Sequence, residues 1–269
     1  MKILFTDLDG TLLNDDSKVS EYSYEVLKRM TKAGHKLVIA SGRPLESIKE
    51  VIRLAHLDMP GVYITANNGS LIYDCDNDKV IYEDPVPLDI VPAIWKLAED
   101  EDIHIQTYTE TEVVTVKNDA EIRKYVSKIH IPIIYTSDPL AVIKKAPSKM
   151  LAISLDDPAK LEKFRQSVLK RYADIVDALY SNSQYLEIYS NTAGKGEALK
   201  WLCDRLGVLL ADSYAAGDAM NDISMIEAAG HGIVMFNASE DVKKYADIVT
   251  KHSNDEDGLA EVIVEEILG

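Results

Sequence analysis

The chain has 269 residues, of which 46% are hydrophobic and 28% charged, values typical of a globular protein with a sizeable core. Its 29 Lys and Arg against 45 Asp and Glu give a formal net charge of −16, which argues against nucleic acid or an anionic membrane as a partner. There is neither a membrane-length apolar run nor a signal-like start, and two cysteines far apart in sequence indicate no disulfide framework. We therefore expect a reducing, cytoplasmic location.

The first third of the chain alternates strand and helix patterns. Short apolar runs predict buried strands at 3–5, 36–40 and 62–65. Apolar residues at helical spacing predict a helix after each of the first two strands, the first capped by Ser20 and stopped by Gly34. This order is typical of a doubly wound parallel sheet. A β-hairpin at 70–82 is predicted next, and its acidic turn lacks the glycine and glutamate of a calcium loop.

The pattern changes in the middle of the chain and returns near the end. The middle predicts these elements: a helix at 90–98, strands at 103–108 and 112–117, a short helix near 120–128, a strand at 150–155, a helix at 158–171 and two strands ending at 186–189. This mixture favours an α+β domain with an antiparallel sheet. We predict an α/β, doubly wound parallel-sheet core formed by residues 1–84 and 190–269, with residues 85–189 inserted as a second domain.

Two carboxylates follow the first strand in the stretch Asp7-Leu8-Asp9-Gly10-Thr11. Strands of open α/β sheets deliver their carboxyl ends to the ligand crevice. Asp7 and Asp9 at such an end suggest a cation site, or a nucleophile with an acid/base partner, and Gly10 allows a tight turn. The alternative is an ordinary acidic turn, because Asp-Gly is common turn chemistry.

Three further polar groups follow strand ends or open a helix. They are Ser41-Gly42-Arg43, Lys195, and the run from Asp218 through Asn221 to Asp222. If they converge with Asp7 and Asp9 at one sheet edge, four carboxylates need a counter-ion, and Mg²⁺ with oxygen ligands is the expected one. An attacking carboxylate, a cation and a lysine together favour phosphoryl transfer.

Each group has a simpler interpretation when it is taken alone. Lys195 between two glycines can be a plain helix entry, and the sequence around it matches neither a Walker A loop nor a dinucleotide fingerprint. Asp218 and Asp222 can be favourable charges at a helix start. Arg43 can be a surface arginine, a substrate ligand or a brace for the acidic loops. The four groups in combination favour the catalytic interpretation.

In this order the four groups resemble the motifs of the haloacid dehalogenase (HAD) phosphohydrolases. Asp7-Leu8-Asp9-Gly10-Thr11 resembles motif I, Ser41-Gly42-Arg43 motif II, Lys195 motif III, and the run from Gly217 to Asp222 motif IV. The resemblance implies a Rossmann-like core. The turn Asn67-Asn68-Gly69 resembles the Cof-type subgroup, and the insertion between motifs II and III resembles a C2B-type cap that determines substrate specificity.

The resemblance also implies a role for each matching residue. Asp7 would be the nucleophile and Asp9 the general acid/base, with Ser41 and Lys195 holding the phosphoryl oxygens. Mg²⁺ would be held by these groups: Asp7, the backbone carbonyl of Asp9, and Asp218, with Asp222 supporting or ligating. Substrate or phosphate binding would fall to Gly10, Gly42, Arg43 and Asn221, and Asn221 would alternatively orient Lys195.

We therefore expect a Mg²⁺-dependent phosphatase acting on a small phosphorylated metabolite. Sugar phosphates and phosphorylated cofactors such as pyridoxal phosphate or flavin mononucleotide are the substrate classes that the resemblance implies. A phosphomutase of the same superfamily is an alternative, and a non-catalytic sensor of a phosphorylated ligand is another. Retention of both Asp7 and Asp9 argues against the sensor, because a binding protein does not need the acid/base.

Overall fold

The structure, a computed structural model, describes residues 1–109, 111–127 and 131–269. These residues form two compact units, Met1–Glu83 with Gly194–Gly269, and Asp84–Ala193. The second unit is thus inserted into the first, and its limits lie within a few residues of the predicted domain limits.

The described residues contain fourteen strands and ten α-helices, numbered here in chain order. The strands are β1 (Ile3–Thr6), β2 (Lys36–Ala40), β3 (Val62–Ala66), β4 (Leu71–Asp74), β5 (Lys79–Glu83), β6 (His104–Tyr108), β7 (Val113–Thr115), β8 (Ile133–Tyr135), β9 (Met150–Ile153), β10 (Val176–Asn182), β11 (Tyr185–Ser190), β12 (Ser213–Gly217), β13 (His231–Val234) and β14 (Ile248–Val249). The helices are α1 (Glu21–Lys32), α2 (Leu45–Leu54), α3 (Val91–Asp100), α4 (Ala120–Val126), α5 (Pro139–Val142), α6 (Pro158–Tyr172), α7 (Lys195–Leu206), α8 (Ile223–Ala228), α9 (Glu240–Lys243) and α10 (Gly258–Val262), the last continuing as a π-helical turn at Ile263–Ile267.

The first unit is built on a mostly parallel sheet. Within the described chain its eight strands run in the order β14-β13-β12-β1-β2-β3-β4-β5, and β4 and β5 are antiparallel at one edge. Strand β1 lies between β2 and β12 and pairs with both in parallel. Leu4 is buried on the face covered by α1, α2 and α10, and Ile3 and Phe5 on the face covered by α7 and α8. Burial on both faces confirms the predicted doubly wound core and explains the continuous apolar run of β1.

The second unit is an α+β cap with its own sheet. The described strands are ordered β10-β11-β9-β6-β7-β8, with α3 and α6 packed on one face through Trp95 and Phe164, and α4 on the other through Ile122 and Tyr125. The predicted antiparallel sheet is found with one exception, because β7 and β8 pair in parallel. The crossover between them is α4, as a parallel connection requires. The helix predicted near 120–128 ends at Val126, and Lys128 lies outside the described residues.

Within residues 1–109, 111–127 and 131–269, no helix has both the length and the apolar character needed to cross a membrane.

Candidate active site

The carboxylates of Asp7 and Asp9 follow β1 but differ sharply in exposure. The backbone N–H of Asp7 donates to the Ala216 carbonyl at 2.9 Å, so the ladder with β12 holds Asp7 in line with the strand. Asp7 is 8% exposed, whereas the side chain of Asp9, beyond the buried Leu8, is 56% exposed. One carboxylate therefore points into the protein and the other towards solvent.

Gly10 brings the first turn against Asp218. Its φ is +77°, and a Cβ at this position would lie 2.6 Å from Asp218 Oδ2. The left-handed backbone favours glycine, and a side chain here would displace the Asp218 carboxylate. The neighbouring Thr11 donates its hydroxyl to Asp218 Oδ1 at 2.9 Å. The turn after β1 is thus joined to the acidic loop after β12.

Lys195 is the first residue of α7 and is 1% exposed. Its ammonium donates to Asp7 Oδ1 at 2.5 Å and to Asp222 Oδ1 at 2.6 Å. Burial alone lowers the pKa of a lysine, but the two carboxylates outweigh it, so that the pKa of Lys195 is raised and the side chain stays charged.

Asp222 is fully buried and organises the loop after β12. Its Oδ1 accepts from Lys195, and its Oδ2 accepts from the backbone N–H groups of Asp218 and Ala219 at 3.1 and 3.0 Å. Each oxygen already has a partner within the protein, so the geometry favours the supporting role over direct ligation of a cation.

The acidic cluster fits a hard divalent cation. Carboxylate oxygens of Asp7, Asp218 and Asp222 lie within 4.8 Å of one another. Burial raises the pKa of Asp7 to about 7, with the charge of Lys195 opposing this and that of Asp222 adding to it, and burial also raises the pKa of Asp218. Three carboxylates against one ammonium leave an excess of negative charge, which a cation with oxygen ligands would neutralise.

The loop after β2 carries Ser41 and Arg43. The backbone N–H of Ser41 donates to the Thr65 carbonyl at 2.9 Å, which extends the ladder with β3, and the buried Ser41 hydroxyl accepts from the Arg43 N–H at 3.2 Å. The Arg43 guanidinium forms a two-point ion pair with Asp9, from Nε to Oδ2 at 2.9 Å and from Nη2 to Oδ1 at 2.6 Å. Of the roles left open for Arg43, the structure shows the brace to an acidic loop.

The turn at Asn67–Gly69, noted in the sequence only for its resemblance to the Cof-type subgroup, connects the loop after β2 with the loop after β12. Asn67 and Asn68 both have positive φ, and their N–H groups donate to the carbonyls of Arg43 and Ser41 at 3.1 Å each. Asn68 Oδ1 also accepts from Asn221 Nδ2 at 3.5 Å. Asn221 is thus directed to Asn68, while Lys195 is oriented by Asp7 and Asp222.

One positioning contact was missed from the sequence. Asn237, just beyond β13, donates its amide to the Gly10 carbonyl at 2.8 Å and accepts from the Asn254 N–H at 3.1 Å. Its place after a parallel strand is the signal that could have identified it, since all such ends share one sheet edge.

The predicted residues therefore fall into one cluster and two neighbouring pairs. Asp7, Lys195, Asp218 and Asp222 form the buried centre, with Gly10 packed against it. Asp9 and Arg43 form an exposed pair, while Ser41 and Asn221 are linked through the turn at Asn68. A buried carboxylate beside a lysine and a candidate cation site, at the carboxyl edge of a doubly wound sheet, is an arrangement suited to phosphate-ester hydrolases with a Rossmann-like core.

Comparison with known proteins identifies the family. A model of haloacid dehalogenase-like hydrolases matches residues 4–263, and the chain belongs to this family as a Cof-type phosphatase. The 5-amino-6-(5-phospho-D-ribitylamino)uracil phosphatase YwtE of Bacillus subtilis is 32% identical, with 97% of this chain and 96% of the relative covered.

Two solved structures share the fold. A haloacid dehalogenase-like hydrolase of Bacteroides thetaiotaomicron is 33% identical and has a TM-score of 0.88 over 98% of both chains. A sugar phosphatase of HAD subclass IIB, BT4131, is 24% identical with a TM-score of 0.78 over 98% of both chains. The inserted α+β cap on a mostly parallel core is the architecture of this subclass.

Proposed function

We propose that the protein is a Mg²⁺-dependent phosphomonoesterase of small phosphorylated metabolites that works through an aspartyl-phosphate on Asp7. The observation that carries the proposal is the bond of 2.5 Å between Lys195 and the buried carboxylate of Asp7, beside Asp218 and Asp222. This arrangement provides a fixed nucleophile and positive charge for the transferred group.

In the first step a carboxylate oxygen of Asp7 attacks phosphorus, and the bond from phosphorus to the ester oxygen breaks. Asp9 donates a proton to the departing alcohol. Ser41 and Lys195 hold the phosphoryl oxygens during transfer. Asp7, the Asp9 carbonyl and Asp218 would hold Mg²⁺, which would supply further positive charge to stabilise the developing negative charge.

In the second step Asp9 takes a proton from water, and that water attacks phosphorus. The bond between phosphorus and the Asp7 oxygen breaks, which releases inorganic phosphate and restores the free carboxylate. Asp222 keeps Lys195 and the loop at Asp218 in position throughout, because its oxygens bond to both.

The cap at residues 85–189 is proposed to select the leaving group. Phosphorylated sugars and phosphorylated cofactors such as pyridoxal phosphate or flavin mononucleotide are the proposed classes. The relative YwtE is named for a phosphorylated ribityl compound, which supports a polyol or sugar phosphate. The two free cysteines, Cys75 and Cys203, are compatible with the predicted cytoplasmic location.

Turnover of a panel of phosphorylated metabolites with and without Mg²⁺ tests the proposal. Asp7→Asn should abolish phosphate release, EDTA should stop the wild type, and Asp16→Asn, at an exposed aspartate, should leave the rate unchanged. Full activity of Asp7→Asn would exclude Asp7 as the nucleophile. Activity undiminished by EDTA would exclude a required metal ion. Movement of phosphate between two positions of a hexose, without its release, would identify a phosphomutase instead.

A further inference from the structure

The ion pair between Arg43 and Asp9 has a geometry that fixes a carboxylate in space. Two parallel hydrogen bonds, at 2.9 and 2.6 Å, join the planar guanidinium to the two oxygens of Asp9. Such a fork sets the orientation of the carboxylate plane, which a single contact does not do. The two side chains are 32% and 56% exposed, so the pair contributes little to the stability of the fold.

Arg43 is held firmly at its backbone. Its N–H donates to the Ser41 hydroxyl at 3.2 Å, and its carbonyl accepts from the Asn67 N–H at 3.1 Å. The next residue, Pro44, has a fixed φ and is the N-cap of α2. The guanidinium therefore extends from an anchored point.

Asp9 lies in the exposed turn between Leu8 and Gly10. An aspartate side chain in such a turn exchanges among staggered rotamers unless a partner holds one of them. The fork from Arg43 selects the rotamer that is seen.

We propose that Arg43 is a positioning residue, which holds the Asp9 carboxylate in the orientation from which it serves the leaving group. This inference rests on the proposed function, in which Asp9 is the general acid. It differs from the role implied by the family resemblance, in which Arg43 binds the substrate or its phosphate directly.

The two roles predict different responses to the leaving group. Phenolate leaves phosphorus poorly without a proton, whereas p-nitrophenolate leaves readily without one. In a single turnover, Arg43→Ala should therefore slow the release of phenol from phenyl phosphate by about 10- to 100-fold, part of the usual contribution of a general acid, and the release of p-nitrophenol from p-nitrophenyl phosphate by less than about threefold. The second step, in which Asp9 activates water, is common to both esters and should slow equally for the two. KM for both esters and competitive inhibition by inorganic phosphate should change little.

Three variants sharpen the comparison. Arg43→Lys keeps the charge without the fork and should restore little of the phenyl phosphate rate. Adding Arg43→Ala to Asp9→Asn should cause no further loss, because the two residues act as one unit. Arg53→Ala, at an exposed arginine of the same helix, should match the wild type with both esters.

Equal slowing of the release step with both esters, together with weaker inhibition by phosphate, would overturn the positioning role and show that Arg43 contacts the phosphoryl group. Full recovery in Arg43→Lys would also contradict it, since charge alone would then suffice. If the wild type still hydrolyses both esters and Asp7→Asn hydrolyses neither, these results leave the phosphatase assignment intact.

Discussion

At the scale of single residues, Asp7 shows how burial prepares a nucleophile at a cost to stability. Its pKa rises from 3.8 to about 7 because the carboxyl is buried, although Lys195 opposes the shift. The folded protein without metal therefore keeps a proton on Asp7 that the unfolded chain loses near pH 4. The stability that this proton provides is complete below pH 3.8 and is lost as pH rises through about 7.

We predict that Asp7→Asn removes this part of the pH dependence. In EDTA, Tm of the wild type should fall more between pH 5 and 8 than Tm of the variant, and the variant should be more stable at pH 8 by about 1 kcal/mol or more. Thermal unfolding of both proteins across this range measures the difference. Parallel pH profiles would show that Asp7 titrates alike in the folded and unfolded chains.

A second prediction concerns the buried ammonium group of Lys195. Lys195→Met leaves the carboxylates of Asp7 and Asp222 without their ammonium partner, so it should lower the free energy of unfolding by about 3–5 kcal/mol at pH 8 and abolish turnover. Urea unfolding in EDTA measures the first effect.

Lys200→Met is the matched control for this change. Lys200 lies on the same helix, is half exposed and pairs with Glu197, so its substitution should cost less than about 1 kcal/mol. Equal losses of the free energy of unfolding in Lys195→Met and Lys200→Met would indicate that the buried ion pairs contribute no more to stability than the exposed pair.

The sequence predicted which residues form the site, but not all of the contacts between their side chains. Asp7, Lys195 and Asp218 were predicted together because each follows a strand or opens a helix at one sheet edge. The sequence left a brace to the acidic loops as one of three roles for Arg43 and did not indicate the contact of Asn221 with Asn68. Each pairing joins two loops whose side-chain directions follow no sequence period.

At the scale of elements, the close contact between the turn at Asn67–Gly69 and the start of α7 positions Lys195. Gly69 has φ +104°, and a Cβ there would lie 2.2 Å from the carbonyl carbon and oxygen of Gly194. Helix α7 can begin where it does only because this residue has no side chain.

We predict that Gly69→Ala displaces the start of α7 and lowers kcat/KM by at least about tenfold, because a shift of this size misplaces Lys195. Gly34→Ala is the matched control. It has a similar positive φ of +88°, but a Cβ there would meet no atom within 4 Å. Both variants should lose about 1 kcal/mol of stability to the strained backbone, and only Gly69→Ala should lose activity beyond that. Equal activity in the two would contradict the proposed contact.

Long periodic elements were predicted well, and two of the shortest elements were missed. Helices α1 and α6 show a clear helical period, and α1 has its predicted cap, Ser20. Strand β8 has three residues and α5 has four, too few for a pattern to be detected. The missed β8 is also the reason why the parallel pair in the cap was not expected.

At the scale of the whole molecule, the acidic cluster links metal binding to the stability of the folded chain. We predict that Mg²⁺ raises Tm, and that this increase grows between pH 6 and 8, because a cation binds the ionised form of Asp7. Saturation at about 100 times Kd would add about 2.7 kcal/mol.

Differential scanning calorimetry with increasing Mg²⁺ measures this effect. Asp218→Asn should weaken it strongly, whereas Asp204→Asn, at an exposed aspartate of α7, should leave it unchanged. A shift in Tm that is equal in all three proteins would indicate a general ionic effect and no bound ion at this cluster.

Because β1 pairs in parallel with β12, the proposed active site can be completed only late in the synthesis of the chain. Asp7 and Lys195 are 188 positions apart, and the inserted cap lies between them. While β12 is still within the ribosome, one side of the apolar strand β1 has no partner, and such an edge readily pairs with other chains. This edge of β1 stays open until β12 has emerged and paired with it. A chain terminated before β12 would yield an aggregation-prone sheet with no partial activity.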